Sequence, residues 1–380
     1  MKPDLESATP VQEEPPPPSF ATANNLRQQA RAAGLDPDYW YPVAQDKALR
    51  PGKVLEVRFW KSSIALYRGR DGRPRSLENR CAHRWVKLSL GNVEGNNLVC
   101  GYHGWAYDGG GKVVEMAHDL FGKKMPSCRI SSYPVAVRYG LIWIFPGDPA
   151  LAEERSIPDI PELESDRPWP CARIDFVCRA HHSLVAENIN DFTHAYLHRK
   201  YKPFIDARLV RCEDMGDRVL LSYATKTGQG KISRYFVDRS RVSTDQTDLC
   251  YEYPYHWANT DSKIRSWTFL LPIDEQTTHA FFLFYFDAIK IPLLPFRIPR
   301  WLMNCIIQIG KKLTIRPILD EDVVAIEAEQ VAYRTYFGER PVELNPAVPQ
   351  LQRLTVRKWK EHLARKAPLR GLSDELDRES

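Results

Sequence analysis

Two short segments carry paired metal-binding side chains: Cys81-Ala82-His83 and, after sixteen intervening residues, Cys100-Gly101-Tyr102-His103. Each lies beside turn-forming residues, so two loops can bring two thiolates and two imidazoles together. That donor set suits a tetrahedral zinc ion, or a [2Fe–2S] cluster in which one iron takes two Cys and the other two His. Zinc would be structural. The mixed cluster is a one-electron carrier, because neutral imidazoles lower its negative charge and raise its potential. Eight Cys are unremarkable for 380 residues, and in a reducing compartment Cys beside His argues for metal rather than disulfide.

A second set lies in Glu-Asn-Ile-Asn-Asp-Phe-Thr-His-Ala-Tyr-Leu-His, residues 187 to 198. On a helix, His194 and His198 project from one face, with Asp191 one turn earlier. Two His and one carboxylate make a facial triad that leaves positions on Fe(II) open for dioxygen. Packed or solvated histidines are the ordinary alternative for such a pair. The run Gly109-Gly110-Gly111-Lys112 has no Ser or Thr after the Lys and reads as a hairpin turn, not a phosphate loop.

These residues need a scaffold, and 380 residues at 43% hydrophobic can bury one in two domains. Residues 1–38 read as a disordered, Pro-rich tail (Pro15 to Pro18) and a short polar helix over 21–33, stopped by Gly34. The tail lacks the basic start and apolar run of a signal peptide, and no apolar stretch approaches the ~20 residues of a membrane span, so a cytoplasmic chain is expected. Residues 39–150 read as a small β domain, with strands at Val54 to Trp60 and Ile64 to Tyr67, a turn at Asp71-Gly72, and a closing strand at Leu141 to Phe145. A linker rich in proline and acids follows over 148–170. Residues 165–345 give a helical segment over 182–199 and strands at Arg218 to Lys226, Ile232 to Val237 and Leu249 to Tyr255. A hairpin pairs Trp267 to Leu271 with His279 to Phe286. Helices begin near Pro299, and residues 346–380 form a basic helix and tail. The pattern is α+β, with helices on one side of an antiparallel sheet. A net charge of +5 does not indicate nucleic acid.

The motifs Cys81-Ala82-His83-Arg84 and Cys100-Gly101-Tyr102-His103-Gly104-Trp105 resemble the two ligand loops of the Rieske [2Fe–2S] domain. Gly101 stands where that family usually has Pro, a change that removes no ligand. Together with Asn188, Asp191, His194 and His198, the chain resembles the Rieske non-heme iron oxygenases, the ring-hydroxylating oxygenase α-subunits, over residues 39 to 335. The resemblance implies an N-terminal all-β Rieske domain followed by a helix-grip (START-like) catalytic domain. It implies a [2Fe–2S] cluster on Cys81, His83, Cys100 and His103, and a mononuclear Fe(II) on His194, His198 and a late carboxylate, with O2 as co-substrate. Asp322 in Ile318 to Glu327 matches that carboxylate, with Asp320 and Glu321 as competitors and an acidic helix start as the ordinary explanation. Asp191 matches the residue that bridges an iron ligand to a cluster ligand of the neighbouring subunit, and Asn188 the Asn near the iron. Many members separate the two His by four residues; here Ala195 to Leu197 make three.

The same resemblance implies a cyclic homotrimer. The chain has no flavin or nicotinamide fingerprint, so electrons must come from a separate ferredoxin or NAD(P)H-dependent reductase. Aromatic residues crowd the late strands, and alternation assigns half of them to the core, so only the remainder can line a cavity. His256 and His279 read as core or surface residues. Pro292 to Leu313 mixes apolar residues with Arg297, Arg300, Lys311 and Lys312, the composition either of an interfacial helix touching the inner face of a membrane or of a helix packed on the sheet. The branch acting on bulky polycycles, such as steroids, sterols and chlorophyll derivatives, is the nearest resemblance. Plant tetrapyrrole members carry an additional Cys-x-x-Cys and C-terminal membrane helices that this sequence lacks, which favours a sterol-like substrate and monooxygenation. The competing readings are a tetrapyrrole oxygenase, a small-aromatic dioxygenase or O-demethylase, and a non-enzymatic [2Fe–2S] carrier, which needs only the first ~110 residues. The basic segment Val356 to Lys366 could dock an acidic ferredoxin or form a solvated face.

Overall fold

A computed structural model of the protein describes residues 16–227, 246–286 and 299–376. The strand expected at Ile232 to Val237, the first fifteen residues of the tail and the opening of the Pro292 to Leu313 segment lie outside them. From Tyr41 to Ile144 the chain is built of β-strands with two short 3-10 turns. One four-stranded sheet runs Val54–Phe59, Ser62–Arg68, Pro74–Glu78, Ser132–Tyr133, and a second runs Asn92–Glu94, Asn97–Val99, Trp105–Tyr107, Val113–Met116. A three-stranded sheet places Leu141–Ile144 between Tyr41–Gln45 and Val135–Arg138.

The second half is built on a seven-stranded antiparallel sheet in the order Cys171–Cys178, Thr277–Phe286, Ile264–Asp274, Tyr255–Thr260, Gln246–Glu252, Arg218–Thr227, Phe204–Asp214. The expected hairpin is present and longer than its apolar core, because Ile264–Asp274 and Thr277–Phe286 pair nearly end to end. Leu249 to Tyr255 is not one strand. It breaks at Tyr253-Pro254, where a proline cannot donate to the ladder, and the chain folds back as Tyr255–Thr260. The edge strand Phe204–Asp214 escapes sequence reading because its alternation is short and breaks at Val210-Arg211, and much of it faces solvent.

The two halves share one core. Trp143 of the three-stranded sheet meets Phe269 of the large sheet edge to face, with ring centroids 4.8 Å apart. The amides of Trp60 and Lys61 donate to Pro272 O and Ile273 O at 2.7 and 2.8 Å. The proline-rich crossing between the halves is itself packed: Ile157 and Ile160 are buried, and Arg138 binds Ile157 O, Asp159 and Glu164.

Three helical stretches run without a break from Arg300–Gly310 through a π-helical turn at Lys311–Ile315 into Arg316–Tyr336. The first lays Met303 and Ile307 on Ala172 and Phe286 of the sheet and leaves Trp301 and Ile309 exposed, as is Leu313 on the π turn, so it packs on the sheet with one face and presents apolar side chains on the other. Among the described residues no helix is long and apolar enough to cross a membrane. The N-terminal helix is shorter than expected, Leu26–Ala32, and begins where Asn25 accepts the Gln28 amide at 2.9 Å. In the C-terminal helix Ala347–Leu376, Arg357 pairs with Asp214, Lys358 with Asp217 and Glu361, and Arg365 with Asp36. Three cations of the suggested docking face are thus engaged within the chain.

Candidate metal centres and substrate cavity

The first Cys-His loop follows Pro74–Glu78 and closes on itself, with the Cys81 amide donating to Val86 O and the Trp85 amide to Cys81 O. The second closes as the Gly104 amide donates to Cys100 O at 3.0 Å, with Gly104 at φ +67°, a conformation that favours glycine. Gly101 has its own reason: a Cβ there would meet Leu90 O at 2.8 Å. Cys81 and Cys100 are buried among Leu77, Leu88, Leu98 and Tyr107, while His83 and His103 are half-buried, their rings 4.6 Å apart. Burial raises the Cys100 thiol. The Tyr107 hydroxyl accepts the Ala82 amide at 2.9 Å, which leaves its own hydrogen for Cys81 Sγ at 3.1 Å. His83 stacks on Trp105, and its Nδ1 is buried with no hydrogen-bond partner.

A buried imidazole nitrogen without a partner is what a metal ligand looks like when its metal is left out of account. Among the described residues, two sets of three donors gather within 4.8 Å, His194/His198/Asp322 and Asp36/Asp38/His362. The Cys-His quartet is not one of them. Two thiols buried behind two half-buried imidazoles whose rings face each other are the donor set of a two-iron cluster as well as of zinc.

Residues 182–199 do not form one helix. His182–Asn190 ends at Asp191, whose carboxylate accepts the Thr193 amide at 2.7 Å and caps a separate 3-10 turn, Phe192–Tyr196. The four-residue spacing survives the kink, and the rings of His194 and His198 lie 5.2 Å apart. Asp322, buried on Arg316–Tyr336, places Oδ1 3.5 Å from His194 Nε2 and 3.2 Å from His198 Nε2. Donors each ~2.1 Å from a common ion lie roughly 3 Å apart, so this trio fits one metal. Asn188 Nδ2 lies 3.5 Å from the same oxygen.

The competing carboxylates fall elsewhere. Asp320 pairs with Arg316 at 2.7 Å on the exposed side of the helix. Glu321 Oε2 lies 2.9 Å from His198 Nδ1, behind the ring. Asp191 is not in the trio; its Oδ1 also accepts from Asn345 Nδ2 at 2.9 Å. Electrostatics separate the two histidines. Burial lowers His194 despite Asp322 nearby, whereas at His198 burial is outweighed by the adjacent carboxylates of Asp322 and Glu321 and the imidazole is raised.

His194, His198, Asp322 and Asn188 line a cavity of about 300 Å³ between the sheet and the late helices. Its wall takes Phe282, Phe284 and Phe286 from one strand, while the alternate residues Phe281, Leu283 and Tyr285 are buried in the core. Ile307, Thr314 and Ile318 come from the helices above. His256, buried as its reading as a core or surface residue allowed, also lines the cavity, whereas His279 pairs with Asp175 at 3.1 Å. The functional contacts missed in the sequence, Glu321 behind His198 and Asn345 on Asp191, depend on partners more than a hundred residues distant and leave no local pattern.

Comparison with known proteins agrees with this geometry. The model of the Rieske [2Fe-2S] domain matches residues 39–121, and that of the vanillate O-demethylase oxygenase C-terminal domain matches 178–366. The 4beta-methylsterol monooxygenase of Methylococcus capsulatus is 41% identical over 339 residues, 88% of this chain and 92% of that protein. The chain belongs to the Rieske oxygenase family. A more local likeness, 34% over 160 residues, links this Rieske oxygenase to chloroplastic chlorophyllide a oxygenase of Oryza sativa, covering 42% of this chain and 28% of that one. The structure of dicamba monooxygenase bound to dicamba superposes with a TM-score of 0.69 at 24% identity, over 87% of this chain and all of that one, which shows the shared fold. The expected α+β architecture, an all-β Rieske domain before a catalytic domain with an antiparallel sheet, is thereby borne out. The protein is a Rieske non-heme iron oxygenase with a [2Fe–2S] cluster, a mononuclear iron and O2 as co-substrate, not a bare electron carrier. Such oxygenases take their electrons from a separate ferredoxin or reductase.

Proposed function

We propose that this oxygenase is a monooxygenase of a sterol-like polycycle, with Cys81, His83, Cys100 and His103 holding the cluster and His194, His198 and Asp322 holding the iron. The observation that carries the reading is a cavity walled by Phe282, Phe284 and Phe286 that reaches the His194/His198/Asp322 trio. Likeness to the methylsterol monooxygenase over nearly its whole length supports the substrate class.

The iron, when bound, supplies activation of dioxygen. The chain's own residues prepare the site for it. Glu321 accepts the Nδ1 proton of His198, which fixes the tautomer and leaves the Nε2 lone pair toward Asp322. Asn188 directs its amide at Asp322 and helps hold that carboxylate in place. The phenylalanine wall excludes water and binds an apolar body through buried area. At the other centre, Tyr107 donates to Cys81 Sγ and stabilises the electron-rich sulfur.

Electron transfer is assigned to a cyclic homotrimer in which Asp191 bridges the centres of adjacent subunits. Exposed apolar side chains near the cluster loops (Trp85, Leu90, Phe121) and on the outer face of Arg316–Tyr336 (Val324, Val331) support an extensive contact between copies. Trp301, Ile309 and Leu313, beside the exposed Arg300 and Lys312, support contact of the cavity's covering helix with a membrane surface.

The test is incubation of the reduced, iron-loaded protein with 4-methylsterols and with methoxylated benzoates under ¹⁸O2. Gain of one labelled oxygen by the sterol supports the reading. Labelling or demethylation of the benzoates alone refutes it.

A further inference from the structure

Asn190 and His256 form a short relay that ends at the cavity. The Asn190 side-chain nitrogen lies 2.8 Å from Ala186 O and 2.9 Å from His256 Nδ1. A backbone carbonyl only accepts, so this atom is the NH2 group, and its second hydrogen meets His256. Nδ1 is therefore an acceptor, and a neutral imidazole that accepts at Nδ1 carries its proton on Nε2. Burial keeps the ring neutral, pushing it down to about 3. Tyr251 stacks on it with centroids 4.3 Å apart and planes at 15°, which fixes its orientation. His256 is 1% exposed and lines the cavity, and among the described residues no protein group accepts from Nε2.

We propose that His256 Nε2–H is the hydrogen-bond donor by which the cavity recognises a neutral oxygen, a hydroxyl or a carbonyl, on the substrate's apolar body. An anionic group is disfavoured at this position because a neutral imidazole offers no counter-charge. A second observation points the same way. Thr314, on the π-helical turn, lines the cavity, is 8% exposed, and its Oγ1 is buried without a partner. A buried donor left unmade is costly, so such a site discriminates against a ligand that lacks the oxygen.

This inference rests on the sterol-like reading and sharpens it. The test measures equilibrium binding of a 3-hydroxysterol, the corresponding 3-ketosteroid and the 3-deoxy sterane to the full-length protein. The wild type is expected to bind both oxygenated ligands at least about tenfold more tightly than the sterane, a difference of about 1.4 kcal/mol. His256→Phe, which keeps the aromatic stack, should reduce that preference to within about twofold by weakening the oxygenated ligands alone, and His256→Gln, which keeps an N–H, should restore part of it. Asn190→Asp offers an acceptor in place of a donor, turns the ring to the Nδ1–H tautomer, and should weaken the ketone, which only accepts, far more than the hydroxyl. Equal loss for all ligands in His256→Phe, or no preference in the wild type, overturns the role of His256; the wild-type comparison needs no variant to fold. Failure of the wild type to bind any of the three sinks the sterol reading itself, and the proposal with it.

Discussion

Glu321 Oε2 lies 2.9 Å from His198 Nδ1 while Asp322, the next residue, reaches His198 Nε2 at 3.2 Å. Consecutive carboxylates on one helix thus grip the two nitrogens of a single imidazole. Only one of them stands where a metal would share it with His194. Removing the acceptor behind a metal-binding imidazole typically costs ten- to a hundredfold in metal affinity. Glu321→Ala should weaken iron binding by about that factor, with Glu321→Gln milder, measured by competition with a ferrous chelator while the cluster's visible spectrum stays unchanged.

The three neighbouring acids should separate cleanly. Asp322→Ala is expected to lose the mononuclear iron and turnover. Asp320→Ala removes only a surface pair with Arg316, and such pairs contribute ~1 kcal/mol or less, so iron content and rate should remain close to wild type. Retained iron in Asp322→Ala would reassign the third ligand.

Tyr107→Phe removes a hydrogen bond to Cys81 Sγ and should lower the potential of the cluster, read by redox titration, with little change in iron content. An unchanged potential would mean that the hydroxyl does not serve the sulfur.

Arg31, 6% exposed, binds Ser183 and Glu187 on the helix that precedes His194 and approaches Glu329 on the helix that carries Asp322. Arg31→Ala strands Glu187 in a buried setting, and breaking a buried pair costs about 3–5 kcal/mol. Urea unfolding should show a loss of that order, with iron affinity falling alongside it.

Acid should loosen the tie between the two ends of the chain. Burial alone would raise Asp36, but the His362 imidazole 2.9 Å away, the Asp38 amide and Arg365 outweigh it and hold its carboxyl below the usual range. A carboxyl lowered by folding contributes stability that is present above its ordinary value and lost as pH falls through the lowered one. Stability should therefore fall below about pH 4 more steeply in the wild type than in Asp36→Asn, followed by unfolding at fixed urea across that range.

Much of this architecture is legible in the sequence because its chemistry is local. The Cys-x-His and Cys-x-x-His pairs stand on tight loops whose turn residues are adjacent to them, and the Trp267 to Phe286 hairpin announces itself by two apolar runs around Asp274 to Thr278. The break of the 182–199 helix is not legible because Asp191 can sit mid-helix or cap a new turn; in the fold it caps Thr193, and Asn345, far along the chain, binds the same oxygen. Phe204–Asp214 does not stand out in the sequence because its alternation, Ile205-Asp206-Ala207-Arg208-Leu209, is short and breaks at Val210-Arg211, where the register shifts. Alternation correctly divided the Phe281 to Phe286 run between core and cavity, but it gave no reason to turn His256 toward the cavity. That follows from the sheet register, in which His256 stands opposite Thr268 and Thr268 opposite Phe282, so that all three share the cavity face.

The central claim is that one chain holds two unlike iron centres on separate residues. It is tested most directly by measuring iron and acid-labile sulfide per chain in the reconstituted wild type and in His194→Ala. The account predicts about three irons and about two sulfides in the wild type, and about two of each in the variant with the visible spectrum of the cluster intact. Zinc in place of iron, or loss of the cluster spectrum together with the mononuclear iron in His194→Ala, would contradict it.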